Sequence, residues 1–449
     1  MCIRLNIVLV RNQLYLQAQL ALIHYMRSIH FFLFFVCFVL PFSCTQNEGP
    51  APGRSHNLPI LELTIEPHHL WSQDSGLYII GSNGLERCNL VANFNQNWEY
   101  PIQAKYVVEG NTIFDDKVGF RIRGNCSRQE AMKSFGLYWR SQYGINRLEH
   151  RIFIGSDTWR YKRLLFRNSG QDFVRTMMKD AVIQRAVRFH GDFEYQEYQP
   201  VVVYINGEYW GIHNMRDMIN ARYFQYKFGV DNEKVDLLTG SDLDPRASEG
   251  SIDDFMSEVI DFIKVNDLSD DNNYMTLQER IDMSSYIDYF VVQTYIMNRD
   301  WPKNNIRWWR EKTSADYRKW RYVIYDLDLA MSFNWDDKVW IGDWYNNYID
   351  ENKVDGFFIF NELVKNKNFK ESFLDRYDYF LDHVFLPARF EQLVRETQEA
   401  IREEYPFHAA RWNTLLPSAW DRSVNVIIRF NERRHSLMKI IIKELRDEL

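Results

Sequence analysis

Two short segments in the second half of the chain carry the residues best suited to chemistry. In NRDWPKNN, Asp300 and Asn305 lie five residues apart on a loop, with Pro302 shaping the turn between them. A carboxylate that orients or deprotonates an incoming hydroxyl, beside an amide oxygen that holds Mg²⁺, is what phosphoryl transfer requires. The same pair would also suit a plain helix-ending turn, since Asp and Asn are common turn formers. A little further on, WRYVIYDLDLAMSF presents Asp326 and Asp328. If the strand continues through them, alternation puts both carboxylates on one face, where they could bind a hard cation through oxygen. Apolar neighbours on both sides argue against a merely solvated acidic pair.

A third group lies in the first half, in GFRIRGNCSRQEAMKSFGLYW. Two strand-like segments flank a Gly/Asn/Ser turn that carries Arg121, Arg123 and Arg128, and Lys133 opens the second strand. Backbone N–H groups and cations in such a loop could surround a polyphosphate, with Lys133 reaching the α- and β-phosphates. A basic hairpin on a solvated face is the competing reading. Paired carboxylates also admit a glycosidase, with Trp side chains stacking on sugar, but nothing in the sequence separates an acid from a base.

The elements that must hold these residues divide into two kinds. Short apolar runs at 76–81, 104–108, 118–123 and 135–139 are separated by turn residues and predict an antiparallel sheet. The segment 172–189 repeats apolar residues at helical spacing, with Asp172 as its N-cap. VVVYINGEYWGIHNM then predicts a hairpin about Asn206-Gly207, the pair a type I′ turn favours. Beyond Met215 long helical patterns dominate at 277–298, 389–404 and 421–444. The expectation is an α+β fold with a sheet-rich N-terminal lobe (61–215), a helix-rich C-terminal lobe (216–449) and a cleft near 205–220.

Composition bounds the function. The 449 residues carry 61 acidic and 54 basic side chains, a net charge of −7 with the signs mixed, which excludes a dedicated nucleic-acid binder. Aromatic residues make up 16%, with 14 Trp, and serve a core or a stacking surface equally well. From Met26 the chain reads MRSIHFFLFFVCFVLPFSC, a positive start followed by an apolar run too short to stay as a membrane span. Residues 1–44 are read as a signal peptide whose true start is Met26, and 45–60 as a flexible tether. Cys44 sits where a lipobox cysteine would be acylated. Pro41 and Phe42 depart from that pattern, so secretion without a lipid stands beside a lipid-anchored envelope protein. Cys88 and Cys126 are the only cysteines after Cys44; one bridge or two buried thiols fit the count.

Three blocks taken in order, FRIRGNCSR…KSF, VYINGEYWGIHNMRD, and NRDWPKNN followed by WRYVIYDLD, resemble the CotH kinase family of atypical protein kinases. The resemblance extends over nearly all of the chain after the leader. It implies a two-lobed, kinase-like fold that uses ATP with Mg²⁺ or Mn²⁺ on a protein substrate, which could be the protein itself. It implies Asp300 as the catalytic carboxylate, with Asn305, Asp326 and Asp328 holding metal. Lys133 would bind ATP, and Arg121, Arg123 and Arg128 would lie near the nucleotide. The family pattern has a glutamate where this chain has Asp217. A catalytically inactive member that binds protein or glycan is the alternative.

Overall fold

The first half of the chain closes on itself. In the computed structural model, which describes residues 56–302, 304–331 and 357–447, seven strands form a barrel: β1 (Ile60–Thr64), β2 (Tyr100–Val108), β3 (Asn111–Ile122), β4 (Phe135–Tyr138), β5 (Arg163–Arg167), β6 (Gln199–Ile205) and β7 (Glu208–Asp217). Their order around the barrel is β1-β6-β7-β5-β4-β3-β2. All neighbours are antiparallel except β1 and β6, which run parallel with Ile60 opposite Val202. The sheet expected at 61–215 is therefore present, and the parallel β1–β6 pairing closes it. The run Gly76–Gly81 is not one of its strands but a series of turns.

Alternation explains the barrel. Phe120, Ile122, Phe135, Leu137, Leu164, Phe166, Val201, Val203 and Met215 point inward and are completely buried, so one face of each strand fills the interior. On β5 the intervening residues Arg163, Leu165 and Arg167 are left on the outer face. The β6–β7 hairpin turns at Asn206 (φ 52°) and Gly207 (φ 82°), the two positive φ values a type I′ turn needs. Asn206 also ties the turn to the end of β1. Its Oδ1 accepts from the Ile65 N–H and its Nδ2 donates to the Ile65 carbonyl, both at 2.8 Å.

The helix expected at 172–189 is shorter. Met177 takes a positive φ of 64°, and regular helix runs only as α1, Lys179–Val187. Asp172 still serves its start, because its carboxylate accepts from the N–H groups of Thr176, Met178 and Lys179 at 3.1 Å each. After β7 come α2 (Ala221–Phe228), α3 (Met283–Tyr295), α4 (Lys367–His383), α5 (Pro387–Arg402) and α6 (Pro417–Asp447). A second sheet, ordered β9-β8-β10-β11, is built from β8 (Val235–Gly240), β9 (Pro245–Glu249), β10 (Arg307–Glu311) and β11 (Arg321–Tyr322). In α3 every residue but Ser284 is buried, which makes it the central helix of the C-terminal region. Its N-cap Asp282 accepts from the Ser285 N–H at 3.1 Å.

The chain is thus α+β, with a sheet-rich region before a helix-rich one. The described residues belong to one compact unit, and the boundary expected after Met215 falls inside β7. At the C-terminal end of the segment read as a tether, His56 contacts Glu404 and the Tyr204 hydroxyl at 2.8 Å each, and β1 begins at Ile60. The signal segment, Cys44 and residues 45–55 lie outside the described residues. Among the described residues no helix is long and apolar enough to cross a membrane. Replacing Asn206→Ala removes two hydrogen bonds and a side chain suited to left-handed backbone. It is expected to destabilise the fold by roughly 2–3 kcal/mol, measured by denaturant unfolding with an unchanged m-value.

Candidate active site

One loop, one turn and the outer face of the barrel converge on a cleft of about 740 Å³. Asp300, Asn305, Asp326 and Asp328 line it from the C-terminal region, and Arg121, Arg123, Arg128 and Arg167 from the barrel. Every residue expected at the site from sequence is brought there except Lys133.

Asp300 and Asn305 follow α3 on either side of a cis Trp301–Pro302 peptide bond. Asn305, at φ 61°, turns its Nδ2 toward Asp300 Oδ2 (3.4 Å) and the Asp326 carbonyl (3.2 Å), so its Oδ1 remains as an acceptor-type ligand. Burial and the charge of Asp326 raise the pKa of Asp300, while contacts with Asn304 and Asn305 oppose the rise.

Asp326 and Asp328 do not sit on a strand as expected. Pairing in β11 stops at Tyr322, a bridge joins Val323 to Glu194, and Asp326 itself has a φ of 58°. Left-handed backbone at a non-glycine residue is strained, and such residues concentrate at functional sites. The two carboxylates are united instead by Arg167 on β5, whose Nη2 bonds Asp326 Oδ1 and lies 3.2 Å from Asp328 Oδ2. The Gln171 N–H also donates to Asp328 Oδ2, at 3.1 Å. Burial and the Asp326 charge push Asp328 up to about 7 against the pull of Arg167.

Beneath this pair Asp180 of α1 accepts from the Leu327 N–H at 3.1 Å and pairs with Arg216 of β7. Burial alone would raise the pKa of Asp180. Arg216, Arg167 and the Leu327 N–H outweigh it and hold the carboxyl below its ordinary value. Arg167 and Arg216 were not among the residues singled out from sequence, and Asp180 stood out only as the acid its helix could offer to Lys133, a cation it does not meet. A signal for Arg167 was present: in RLLFR, the inward Leu164 and Phe166 alternate with Arg163, Leu165 and Arg167, which puts both arginines on one face.

The arginine loop is held by the protein's own carbonyls. Arg128 donates to Gly124 O (2.7 Å), Phe94 O (2.7 Å) and Gln96 O (2.9 Å), and burial lowers it to about 10. The phosphate-clamp role expected of Lys133 does not match its position. Its ammonium is buried away from the cleft, donates to the carbonyls of Arg128 (2.7 Å) and Glu130 (3.0 Å), and lies 3.9 Å from the Phe94 ring centre. Burial lowers it to about 8. Lys133 and Arg128 therefore brace the loop, while Arg121 and Arg123 face the cleft with no carboxylate in ion-pair range among the described residues. Of the two readings of the cysteines, the structure takes the bridge: Cys88 and Cys126 form a disulfide with Cα atoms 5.4 Å apart, and Cys126 lines the cleft.

The donor set of Asp326, Asp328 and Asn305 consists of oxygens alone and fits Mg²⁺ or Mn²⁺. Among the described residues no group of three or more His, Cys, Asp or Glu is placed to hold a metal ion, so the amide would have to complete the set. This arrangement can grip an anion with guanidinium groups on one side and orient a hydroxyl with Asp300 on the other. A family model described as CotH kinase protein matches residues 120–438, well over half of the chain. The chain belongs to the CotH kinase family. No curated protein sequence matches it.

Gly170 has a φ of 54°, and a Cβ there would stand 1.8 Å from Asp328 Oδ2. Gly170→Ala is expected to displace Asp328 and lower the melting temperature by several degrees in thermal scans.

At the end of β7, burial and Glu197 push Asp217 up to about 7, against the pull of Lys227. Between about pH 4 and pH 7 the folded state keeps a proton that the unfolded chain releases, so this group's contribution falls as pH rises. Asp217→Asn is expected to melt above the wild type at pH 8 and to converge with it near pH 4 in thermal scans.

Proposed function

We propose that the protein is an atypical protein kinase that transfers the γ-phosphoryl group of ATP to a Ser, Thr or Tyr hydroxyl of a protein. The observation that carries this reading is the convergence of Asp300, Asn305, Asp326 and Asp328 with the arginines of the barrel in one cleft. Membership of the CotH family supports it.

In this reading Asp300 orients the acceptor hydroxyl and takes its proton as the hydroxyl oxygen bonds the γ-phosphorus and the bond to the β–γ bridging oxygen breaks, releasing ADP. A raised pKa suits Asp300 to that role. Asp326, Asp328 and the Asn305 Oδ1 would hold Mg²⁺ or Mn²⁺, which neutralises phosphate charge when bound. Arg121 and Arg123 balance the phosphate oxygens from the barrel side, and Leu165, Met218 and Ile219 offer an apolar wall for the base. Arg167 now neutralises the carboxylates that would hold the metal.

That contact also favours a second reading, a non-catalytic relative in which Arg167 permanently occupies the carboxylates and the surface binds protein or glycan. An extracytoplasmic site, with or without a lipid on Cys44, is part of the proposal. It is supported by the leader at 26–44 and by the Cys88–Cys126 disulfide, which suits an oxidising compartment.

Incubation of the purified protein with γ-labelled ATP and Mg²⁺ or Mn²⁺ tests the proposal. Wild type is expected to label itself or a generic acceptor, and Asp300→Ala to lose at least about 100-fold in rate with an unchanged melting temperature. Equal labelling by Asp300→Ala removes the mechanism, and no labelling with no metal–nucleotide binding leaves the binding-module reading.

A further inference from the structure

The positive charge of the cleft does not stop at its rim. On β5, Arg163 lies on the same outer face as Leu165 and Arg167. Its guanidinium lies 5.9 Å from the Tyr138 ring centre, and Arg140 approaches the same ring at 5.2 Å. Beyond Met218, which lines both hollows, a small depression is bordered by Arg160, Lys162, Arg163 and Arg222, with the deeply buried Asp217 as the one carboxylate in its lining. Only some of these cations are neutralised. Glu99 binds Arg140 through both oxygens (2.6 and 2.8 Å), and Glu149 is shared by Arg147 (2.7 Å) and Arg160 (3.3 Å). Lys162, Arg163 and Arg222 have no carboxylate in ion-pair range among the described residues. Lys162 contacts Asn146, and Arg222 contacts Gln225 (2.8 Å) and Asn232 (2.6 Å). Burial and the repulsion of Arg222, Arg140, Arg147 and Arg163 lower the pKa of Lys162, as expected where cations crowd without anions.

Together with Arg121 and Arg123 inside the cleft, Arg163, Lys162 and Arg222 form a track of cations without an ion-pair partner among the described residues, Arg163 and Arg121 feeling Glu249 and Glu99 only at longer range, on a protein whose net charge is −7. The track extends past the cleft that would hold a triphosphate, so a nucleotide alone does not account for it. A bilayer is also a poor occupant, because a flat surface cannot follow the track past Met218 into the cleft. We propose that this track docks an acidic polypeptide segment and leads its hydroxyl-bearing residue to Asp300. The class of acceptor is then a Ser, Thr or Tyr flanked by Asp or Glu, recognised by charge complementarity. The acceptor role rests on the kinase reading; the docking does not.

The test is fluorescence anisotropy with the purified protein and two labelled peptides that share a central Ser, one flanked by Glu and the other by Lys, in the absence of ATP. Wild type is expected to bind the Glu peptide at least about tenfold more tightly than the Lys peptide, and to lose that preference at high salt. The Lys162→Glu/Arg222→Glu variant is expected to lose at least about tenfold in affinity for the Glu peptide, with ATP affinity unchanged. Lys162→Gln alone, a milder change, should show a smaller loss in the same direction. Equal binding of the two peptides, or unchanged affinity in a folded double variant, overturns the proposal. So does binding to phosphatidylglycerol vesicles that is lost on charge reversal while the peptides show no preference. A failure of phosphoryl transfer with Glu-peptide preference intact would count against the kinase reading and leave the docking surface standing.

Discussion

The contact between Arg167 and the carboxylates of Asp326 and Asp328 governs the arrangement of the site. Two acids brought together with one of them deeply buried raise each other's hold on a proton, and a cation between them opposes that rise. Arg167 supplies that cation from the barrel, and Asp180 with Arg216 fixes the Leu327 backbone beneath it. The sheet-rich and helix-rich regions therefore meet through opposite charges as well as through apolar packing. A divalent cation with a nucleotide could take over the task of neutralising the pair, freeing the guanidinium for phosphate oxygens. The same contact in a relative that binds no nucleotide would simply be a structural ion pair.

A second constraint acts on the arginine loop between β3 and β4. Arg128 and Lys133 point their charges at backbone carbonyls, and the Cys88–Cys126 disulfide joins the loop to the segment 85–97. Gln129 adds a bond to the Cys88 carbonyl at 2.9 Å. Holding the loop in advance reduces the ordering cost of binding an anion. Only Arg121 and Arg123 are left to meet a ligand, so the loop separates bracing cations from binding ones. Residue type could not make that distinction.

Much of this was legible in the sequence. Short apolar runs bounded by turn residues exposed the strands that became β2, β3, β4, β6 and β7, and Asn206-Gly207 located the hairpin because only a few residues accept its backbone. Asp300, Asn305, Asp326 and Asp328 stood out because their types and spacing suit phosphoryl transfer among other readings, and the fold brings them into one cleft. What escaped was set by tertiary contacts. Barrel closure depends on β1 lying parallel to β6, a pairing between segments about 140 residues apart that no local pattern encodes. The aspartate turn looked like a strand because Val323 and Ile324 are β-formers, yet Arg167 and Asp180 hold it in another shape. Lys133 looked like a ligand for phosphate because its burial by Phe94 and the loop carbonyls is invisible in sequence.

The most direct measurement is calorimetric titration of the purified protein with ATP in the presence of Mg²⁺ and again in EDTA, repeated with Asp326→Asn. If the carboxylates and the arginines form one metal–nucleotide site, wild type binds one ATP with Mg²⁺, binds it far more weakly in EDTA, and Asp326→Asn in Mg²⁺ behaves like wild type in EDTA. Binding that is indifferent to both the metal and Asp326, or no binding at all, would contradict that account.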